Sequence, residues 1–289
     1  MAYIIENATV YKQDRWEQTS FLVEGGKILM VRPAFEKYRY MKMNVRDFVM
    51  APTHVFYCRE LPPIRDPNFQ KKFLIQRFLL KGATTALISG KVESFEEIRP
   101  KMMDIRSFFR ETAIDFVVSV RLRLELLSVR LIRQLKREKI PALFLEFADR
   151  KELYKIPWGW IREALFPYNL PFIPVPLEGG EKGFQLVAEW NRVLEREKIP
   201  HLSSPLPEEN PISLEARKKI GIYPHKGYLQ TGGELSYNLY LKEEWPDPED
   251  LPAPRVTVHK GDVVRAGKKV FYDPRKGEEL VINRPSFFH

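Results

Sequence analysis

The side chains in this sequence whose chemistry reaches beyond packing are few. There are five histidines, a single cysteine and a set of acids that follow short apolar runs. An imidazole can move a proton or hold a metal, and a thiolate can attack an electrophile. His54 sits in the apolar run 49–55. His225 lies in the turn Pro224-His225-Lys226-Gly227, where a turn role is expected. His259 alternates with Val256 and Val258, which predicts an exposed position on a strand. Cys58 has no adjacent base and reads as an inert apolar residue rather than a nucleophile. Arg130, Arg133, Lys136, Arg137 and Lys139 follow Arg121 and Arg123 in the densest basic stretch. Such a stretch could contact phosphates, but no nucleic-acid motif accompanies it. The expected reading is a solvated helix face, with Leu127, Leu131, Ile132 and Leu135 inward and the arginine stems covering apolar surface. Trp158-Gly159-Trp160 could stack a ligand, although paired tryptophans more often fill cores or interfaces.

The elements that must position these groups follow from composition and period. The chain has 289 residues, 44% apolar and 29% charged, with 19 Phe and 12 Tyr, so it folds around a core. Its balance of +9 permits an acidic partner without naming one. A single cysteine excludes an internal disulfide and fits a reducing compartment. No run approaches the roughly 20 apolar residues of a membrane span, and no signal peptide is visible. A cytoplasmic protein without a membrane partner is expected. Residues 3–10, 20–23 and 27–32 alternate as strands, with Gly25-Gly26 as a hairpin signal. From 51 to 200 strands over 83–89, 114–120, 141–147 and 170–175 alternate with helical patterns over 68–80, 95–110, 124–139, 150–165 and 183–198. That is the mark of βα units on a parallel sheet. A helix over 212–220, stopped at Gly221, leads back to short strands punctuated by glycines. The acidic, proline-rich stretch 243–254 reads as a solvated loop.

Particular motifs give this plan a relative. Glu24-Gly25-Gly26-Lys27-Ile28 resembles an "E-x-G-K-I" hairpin, and Val49 through Val55 a shortened "P-G-x-I-D-x-H-x-H" strand. Lys81-Gly82-Ala83-Thr84-Thr85-Ala86 resembles a "G-x-T-T" strand opening. Asn210-Pro211 with Ile220-Gly221-Ile222-Tyr223-Pro224-His225-Lys226-Gly227 is similar to "N-P-A-x-x-x-G-L-x-P-x-K-G-x-I". Gly232-Gly233-Glu234-Leu235-Ser236-Tyr237-Asn238-Leu239 and Val258-His259-Lys260-Gly261-Asp262-Val263-Val264 resemble the later β segments. In this order they resemble the amidohydrolase superfamily, of the dihydroorotase and dihydropyrimidinase type, at both ends and part of the middle of the chain.

The resemblance implies an α/β fold. An incomplete or distorted (β/α) barrel over 51–211 is expected beside a β-sandwich domain built from 1–50 and 212–289. It also implies divalent metal at the carboxyl ends of the barrel strands, where bound water becomes a hydroxide at neutral pH. Most of the metal ligands are missing here. Phe56 stands where a second histidine would follow His54. The strand Ala142-Leu143-Phe144-Leu145-Glu146-Phe147 has no lysine, and no histidine ends the run Val175-Pro176-Leu177-Glu178. A surviving site would have to be His54, Glu146, Glu178 and His201, an acceptable zinc-type set of imidazoles and carboxylates. The bland alternative makes them a strand-end histidine, two loop carboxylates and a surface histidine. His54 to Asn210 also spans about 156 residues, against roughly 200 or more for a complete barrel. Either the barrel is open or short irregular chain replaces its last strands. An open barrel exposes edges that a homodimer would cover.

The expected function is that of a degenerate amidohydrolase-like protein acting in binding, assembly or regulation. It would have no cofactor and a small-molecule pocket at the strand carboxyl ends. The alternatives are an active metal-dependent hydrolase of C–N bonds with a reduced site, or a basic polyanion-binding protein. Nucleic acid is the least favoured partner.

Overall fold

The computed structural model describes residues 1–12, 15–63, 66–245 and 252–287. Residues 246–251 of the expected acidic loop lie outside the described residues. The chain opens with β1 (Tyr3–Lys12), β2 (Arg15–Glu24), β3 (Lys27–Arg32), β4 (Met41–Asn44) and β5 (Phe48–Pro52). The Gly25-Gly26 turn joins β2 to β3 with φ of 57° and 75°, a left-handed conformation that glycine adopts freely. A Cβ on Gly26 would lie 2.4 Å from the Lys260 carbonyl oxygen, so close packing also restricts this position to glycine.

The middle of the chain supplies β6 (His54–Cys58), β7 (Ala83–Lys91), β8 (Asp115–Arg123), β9 (Leu143–Phe147) and β10 (Phe172–Pro176). Between and after them run α1 (Pro67–Arg77), α2 (Ile98–Phe108), α3 (Val129–Arg137), α4 (Arg150–Tyr154), α5 (Trp158–Leu165) and α6 (Gly180–Arg196). The single helix expected over 150–165 is two, because Pro157 disfavours helical backbone at Ile156 before it. The return segment holds α7 (Leu214–Ile220), β11 (Tyr237–Leu241), β12 (Val256–His259), β13 (Asp262–Ala266) and β14 (Lys269–Val270).

Strands from both ends of the chain share one mixed sheet, in the order β14-β13-β12-β11-β5-β1-β2-β3 with β4 beside β1. The middle strands form a curled parallel sheet in the order β10-β9-β8-β7-β6. The apolar run 49–55 is thus divided between two sheets, with β5 ending at Pro52 in the first and β6 starting at His54 in the second.

Period two sorts the parallel strands into two faces. Phe56, Ile88, Val118, Val120 and Leu145 point outward and pack on the helices with Met102, Leu131, Leu135, Ile161 and Trp190. Val55, Tyr57, Leu87, Val117, Phe144 and Ile173 point inward and meet Leu202, Ile212, Ala216, Ile220 and Ile282. Both faces are covered, which explains why β7, β8 and β9 are buried almost from end to end.

The missing barrel sector is filled by irregular chain. Phe172 of β10 bonds to residues on either side of His201: its amide donates to the Pro200 carbonyl at 2.9 Å, and its own carbonyl accepts from Leu202 at 2.9 Å. At the opposite edge, Phe56 and Tyr57 of β6 bridge to Pro211 and Glu208, and the Ile212 amide donates to the Val55 carbonyl at 2.9 Å. One segment, 200–212, therefore covers both outer strands.

The chain end closes the amino side. β9 begins opposite Val120, which leaves the first half of β8 open on that flank. Residues 278–280 pair there, with the Phe116 amide donating to the Glu278 carbonyl at 3.0 Å and the Leu280 amide to the Phe116 carbonyl at 2.8 Å. A Cβ on Gly277 would stand 2.1 Å from the Ile114 carbonyl oxygen. Gly277→Ala should therefore lower the unfolding free energy by about 1–3 kcal/mol in a urea titration. An unchanged midpoint would show that this segment does not press on β8.

Candidate functional site

On β8 the residues Asp115, Val117, Ser119 and Arg121 share the inward face, because successive strand residues alternate. Arg121 thereby reaches the centre of the curled sheet near its carboxyl ends, with 1% of its surface exposed. One terminal nitrogen donates to Glu146 Oε1 of β9 at 2.6 Å, and the other to Glu60 Oε1 beyond β6 at 2.9 Å. Arg59 Nη2 lies 3.6 Å from the same Glu146 oxygen. Glu146 is itself 3% exposed. The hydrogen bond from Arg121 holds the Glu60 carboxyl below its usual range, against the opposing effect of burial.

Tyr57 Oη and Ser89 Oγ are 2.8 Å apart in the same layer, and Tyr57 stacks on Phe144 at 4.7 Å. Burial pushes the Tyr57 phenol up to about 12 despite the Ser89 bond and the neighbouring arginines, so it stays protonated at neutral pH. Arg59 and Arg121 each leave a buried Nε without a hydrogen-bond partner. The arrangement offers fixed positive charge and N–H donors. Its two carboxylates, Glu146 and Glu60, are both bound by Arg121.

The four residues expected to hold a metal do not converge. Among the described residues, the group of three whose ligand atoms all lie within 4.8 Å of one another is Asp115, Glu234 and His259. His54 begins β6 rather than ending it, because the apolar run breaks between two sheets. Its Nε2 lies 2.7 Å from Tyr240 Oη, and burial together with the Arg217 charge lowers it to about 4. His201 pairs with the first residue of β10, again at the amino side, and its Nδ1 lies 2.7 Å from the Ile199 carbonyl oxygen. Glu178 is exposed beyond β10, beside Lys182. Glu146 stands at the expected end and faces inward, but it is bound by Arg121. Cys58 is buried and donates to the Glu60 carbonyl at 3.2 Å, and burial pushes its thiol up to about 12. Trp158 is buried, with its indole N–H on the Leu153 carbonyl at 2.8 Å, while Trp160 is 67% exposed.

The Asp115 group sits at the other end of β8, against the mixed sheet. Asp115 is fully buried. Its Oδ2 lies 2.5 Å from Lys226 Nζ and 3.5 Å from His259 Nε2, and its Oδ1 accepts from Lys260 Nζ at 2.8 Å. Lys226 also pairs with Glu234, and Lys260 with Glu278 at 2.7 Å. Burial alone would raise the Asp115 carboxyl, but the charges of His259, Lys226 and Lys260 outweigh it and hold the carboxyl low. Burial lowers His259 to about 4 against the pull of Asp115 and Glu234. His259 is therefore uncharged at neutral pH, and there the lysines carry the effect. Asp115, Glu234 and His259 are a possible metal-binding set, into which the Lys226 and Lys260 ammonium groups already reach. The cluster is an ionic joint between the two sheets.

Three of the motifs that carried the resemblance meet at this joint: the turn with Lys226, the segment with Glu234 and the pair His259-Lys260. His259 is buried, not exposed as expected, because the parallel sheet covers the second face of β12. Thr257 on that face bonds Asn238 at 2.8 Å, and Asn238 donates to the Gly82 carbonyl at 2.9 Å. Arg121 is buried, not part of the solvated basic face that its neighbours in sequence suggest. The missed signal is its even spacing from Val117 and Ser119 on a strand that runs to Arg123 instead of ending at 120. Within the basic helix itself, Arg130 lies over the Phe95 ring and Lys136 binds the Ala164 and Phe166 carbonyls.

The same arrangement of sheets is found in solved structures. The dihydropyrimidinase from Brevibacillus agri NCHU1002 is 12% identical, with 100% of each chain covered and a TM-score of 0.63. A D-hydantoinase structure is 11% identical at the same coverage, with a TM-score of 0.66. The beta-aspartyl dipeptidase from Fervidobacterium islandicum AW-1 is 10% identical over 94% of this chain and 98% of that chain, with a TM-score of 0.54. No protein-family model and no curated protein matches the sequence. The chain thus shares the fold of these dihydropyrimidinase, D-hydantoinase and dipeptidase structures, at identities that speak for fold alone. Among the described residues no helix is long and apolar enough to cross a membrane.

The joint sets the acid limit of the fold. His259 and His54 are held near 4 against an ordinary 6.5, so folding keeps them unprotonated. The stability this represents is complete above about 6.5 and is lost as pH falls toward 4. Asp115, held below 3.8, adds a further loss beneath that value. Unfolding titrations between pH 7 and 4 should show this fall, and Asp115→Asn should cost about 3–5 kcal/mol at pH 7 by removing the buried carboxylate that Lys226 and Lys260 share. A near-neutral substitution would remove Asp115 from the centre of the joint.

Proposed function

We propose that this protein is an amidohydrolase-fold binding protein without metal-dependent hydrolysis. The observation that carries this reading is the Arg121 guanidinium, bound to Glu146 and Glu60 at the strand ends where the resemblance puts metal ligands. A guanidinium keeps its charge at any working pH, and a divalent cation beside it would be repelled. Glu146 is the ligand such an ion would need, and Arg121 already binds it. The inward layer at these ends consists of Tyr57, Arg59, Ser89, Arg121 and Glu146, a set without imidazole or free carboxylate. What remains is a concave, donor-rich face suited to holding a ligand.

Protein purified without chelator should contain far less than one zinc, manganese or nickel per chain by elemental analysis. With zinc added, it should not hydrolyse a hydantoin, a dihydropyrimidine or a β-aspartyl dipeptide, the classes named for its structural neighbours, above the buffer rate. One metal per chain together with turnover of any of these would overturn the proposal.

A further inference from the structure

The groups of the Asp115 joint stand as reactants do, and not only as ion pairs. Lys226 Nζ lies 2.5 Å from Asp115 Oδ2, with 7% and 0% of the two side chains exposed. Given a C=O bond of about 1.23 Å, the nitrogen is then no farther than about 3.7 Å from Cγ, close to the roughly 3–3.5 Å of a near-attack contact. Glu234 binds the same ammonium, within reach of its proton. Asp115 Oδ1 accepts from Lys260 Nζ at 2.8 Å and from the Glu278 amide at 2.9 Å. Two donors on one carboxyl oxygen are what an anionic tetrahedral intermediate requires. Lys260 also donates to the Lys276 carbonyl and to Glu278, so its three hydrogens are committed and it stays an ammonium.

His259 supplies the last group. The hydroxyl hydrogen of Ser236 goes to Glu234, so in the 3.3 Å contact between Ser236 Oγ and His259 Nδ1 the imidazole is the donor. His259 Nε2 is then a bare acceptor, buried and without a partner, 3.5 Å from Asp115 Oδ2. That oxygen, despite the Lys226 contact, has no aligned hydrogen bond either. A proton on Oδ2 satisfies both atoms and turns the carboxylate into a carboxyl group that an amine can attack. Buried charges carry a desolvation cost even when paired, and a neutral amide removes both.

We infer that Lys226 and Asp115 condense into an isopeptide bond that ties β8 to the turn after α7. The Nζ–Cγ bond forms and the Cγ–Oδ2 bond breaks. The two protons that the ammonium loses leave with Oδ2 as water, carried by Glu234 and His259. An ionised lysine and an ionised aspartate give one amide and one water, so atoms and charge balance and nothing is oxidised or reduced. The nearest oxygens and nitrogens of Asp115, Glu234 and His259 lie within 4.8 Å of one another, which keeps each proton transfer short. The titration of Asp115 described above belongs to the unlinked chain, the form in which the joint first closes. None of this depends on what the strand carboxyl ends bind.

The test is the mass of the full-length chain, kept folded at neutral pH for several days and then denatured for electrospray. It should fall below the sequence mass by one water. After trypsin, cleavage at Lys226 should be absent, and one branched peptide should hold Lys226 joined to Asp115. Lys226→Arg and Glu234→Gln should both stay at their sequence masses, with circular dichroism confirming that they fold. An unaltered chain at the full sequence mass would overturn the inference. So would a water loss mapped to other residues, or one retained in either folded variant. Should a variant fail to fold, the peptide map of the unaltered chain decides by itself.

Discussion

Asp115 is the constraint around which this molecule is organised. A carboxylate with no exposed surface is tolerable only if opposite charge meets it. The chain meets it with Lys226 and Lys260, two lysines contributed by the returning β segment. The joint can close only when β8 of the parallel sheet and the β12 turn of the mixed sheet are both in place. Buried ion pairs contribute little net stability, since desolvation offsets their attraction, but breaking one is costly. Such a joint therefore selects one docking of the sheets over others. The packing of Gly26 on the Lys260 carbonyl narrows the choice further.

The same strand carries the second ionic centre. Arg121 is six residues beyond Asp115 on the same face, about 20 Å away at roughly 3.3 Å per residue. The interior between them is apolar, with Val117, Phe144, Ile173 and Ile282. One end of the curled sheet is thus an internal joint and the other a donor-rich surface. The core between them lets each keep its own charges. A chain too short for a complete barrel reaches this state because residues 200–212 close the sheet and α7 with Ile282 fills its concavity.

Much of the architecture could be read in the amino-acid sequence, because period and punctuation report directly on burial. The alternation of strands and helices, the Gly25-Gly26 hairpin and the return through Gly221 all express local backbone preferences. The site was less legible, because its residues answer to tertiary neighbours. His54 looked like a strand-end ligand until the break at Pro52 and Thr53 placed it at a strand start. Arg121 looked solvated because charge in sequence suggests water, and only its parity with Val117 and Ser119 reveals an inward arginine. His259 is buried because both faces of β12 are covered, and no spacing rule reports a second cover. The motifs with Lys226, Glu234 and Lys260 meet at the joint.

The joint fixes how the two sheets of this chain dock, and the arginine–carboxylate bridge occupies the carboxyl ends of the parallel strands. The most direct measurement is anomalous diffraction at the zinc edge from crystals grown with zinc. The account predicts no anomalous peak at the strand carboxyl ends, and continuous density from the Arg121 guanidinium to Glu146 and Glu60. A peak within about 2.2 Å of a Glu146 oxygen, with Arg121 swung away, would contradict it.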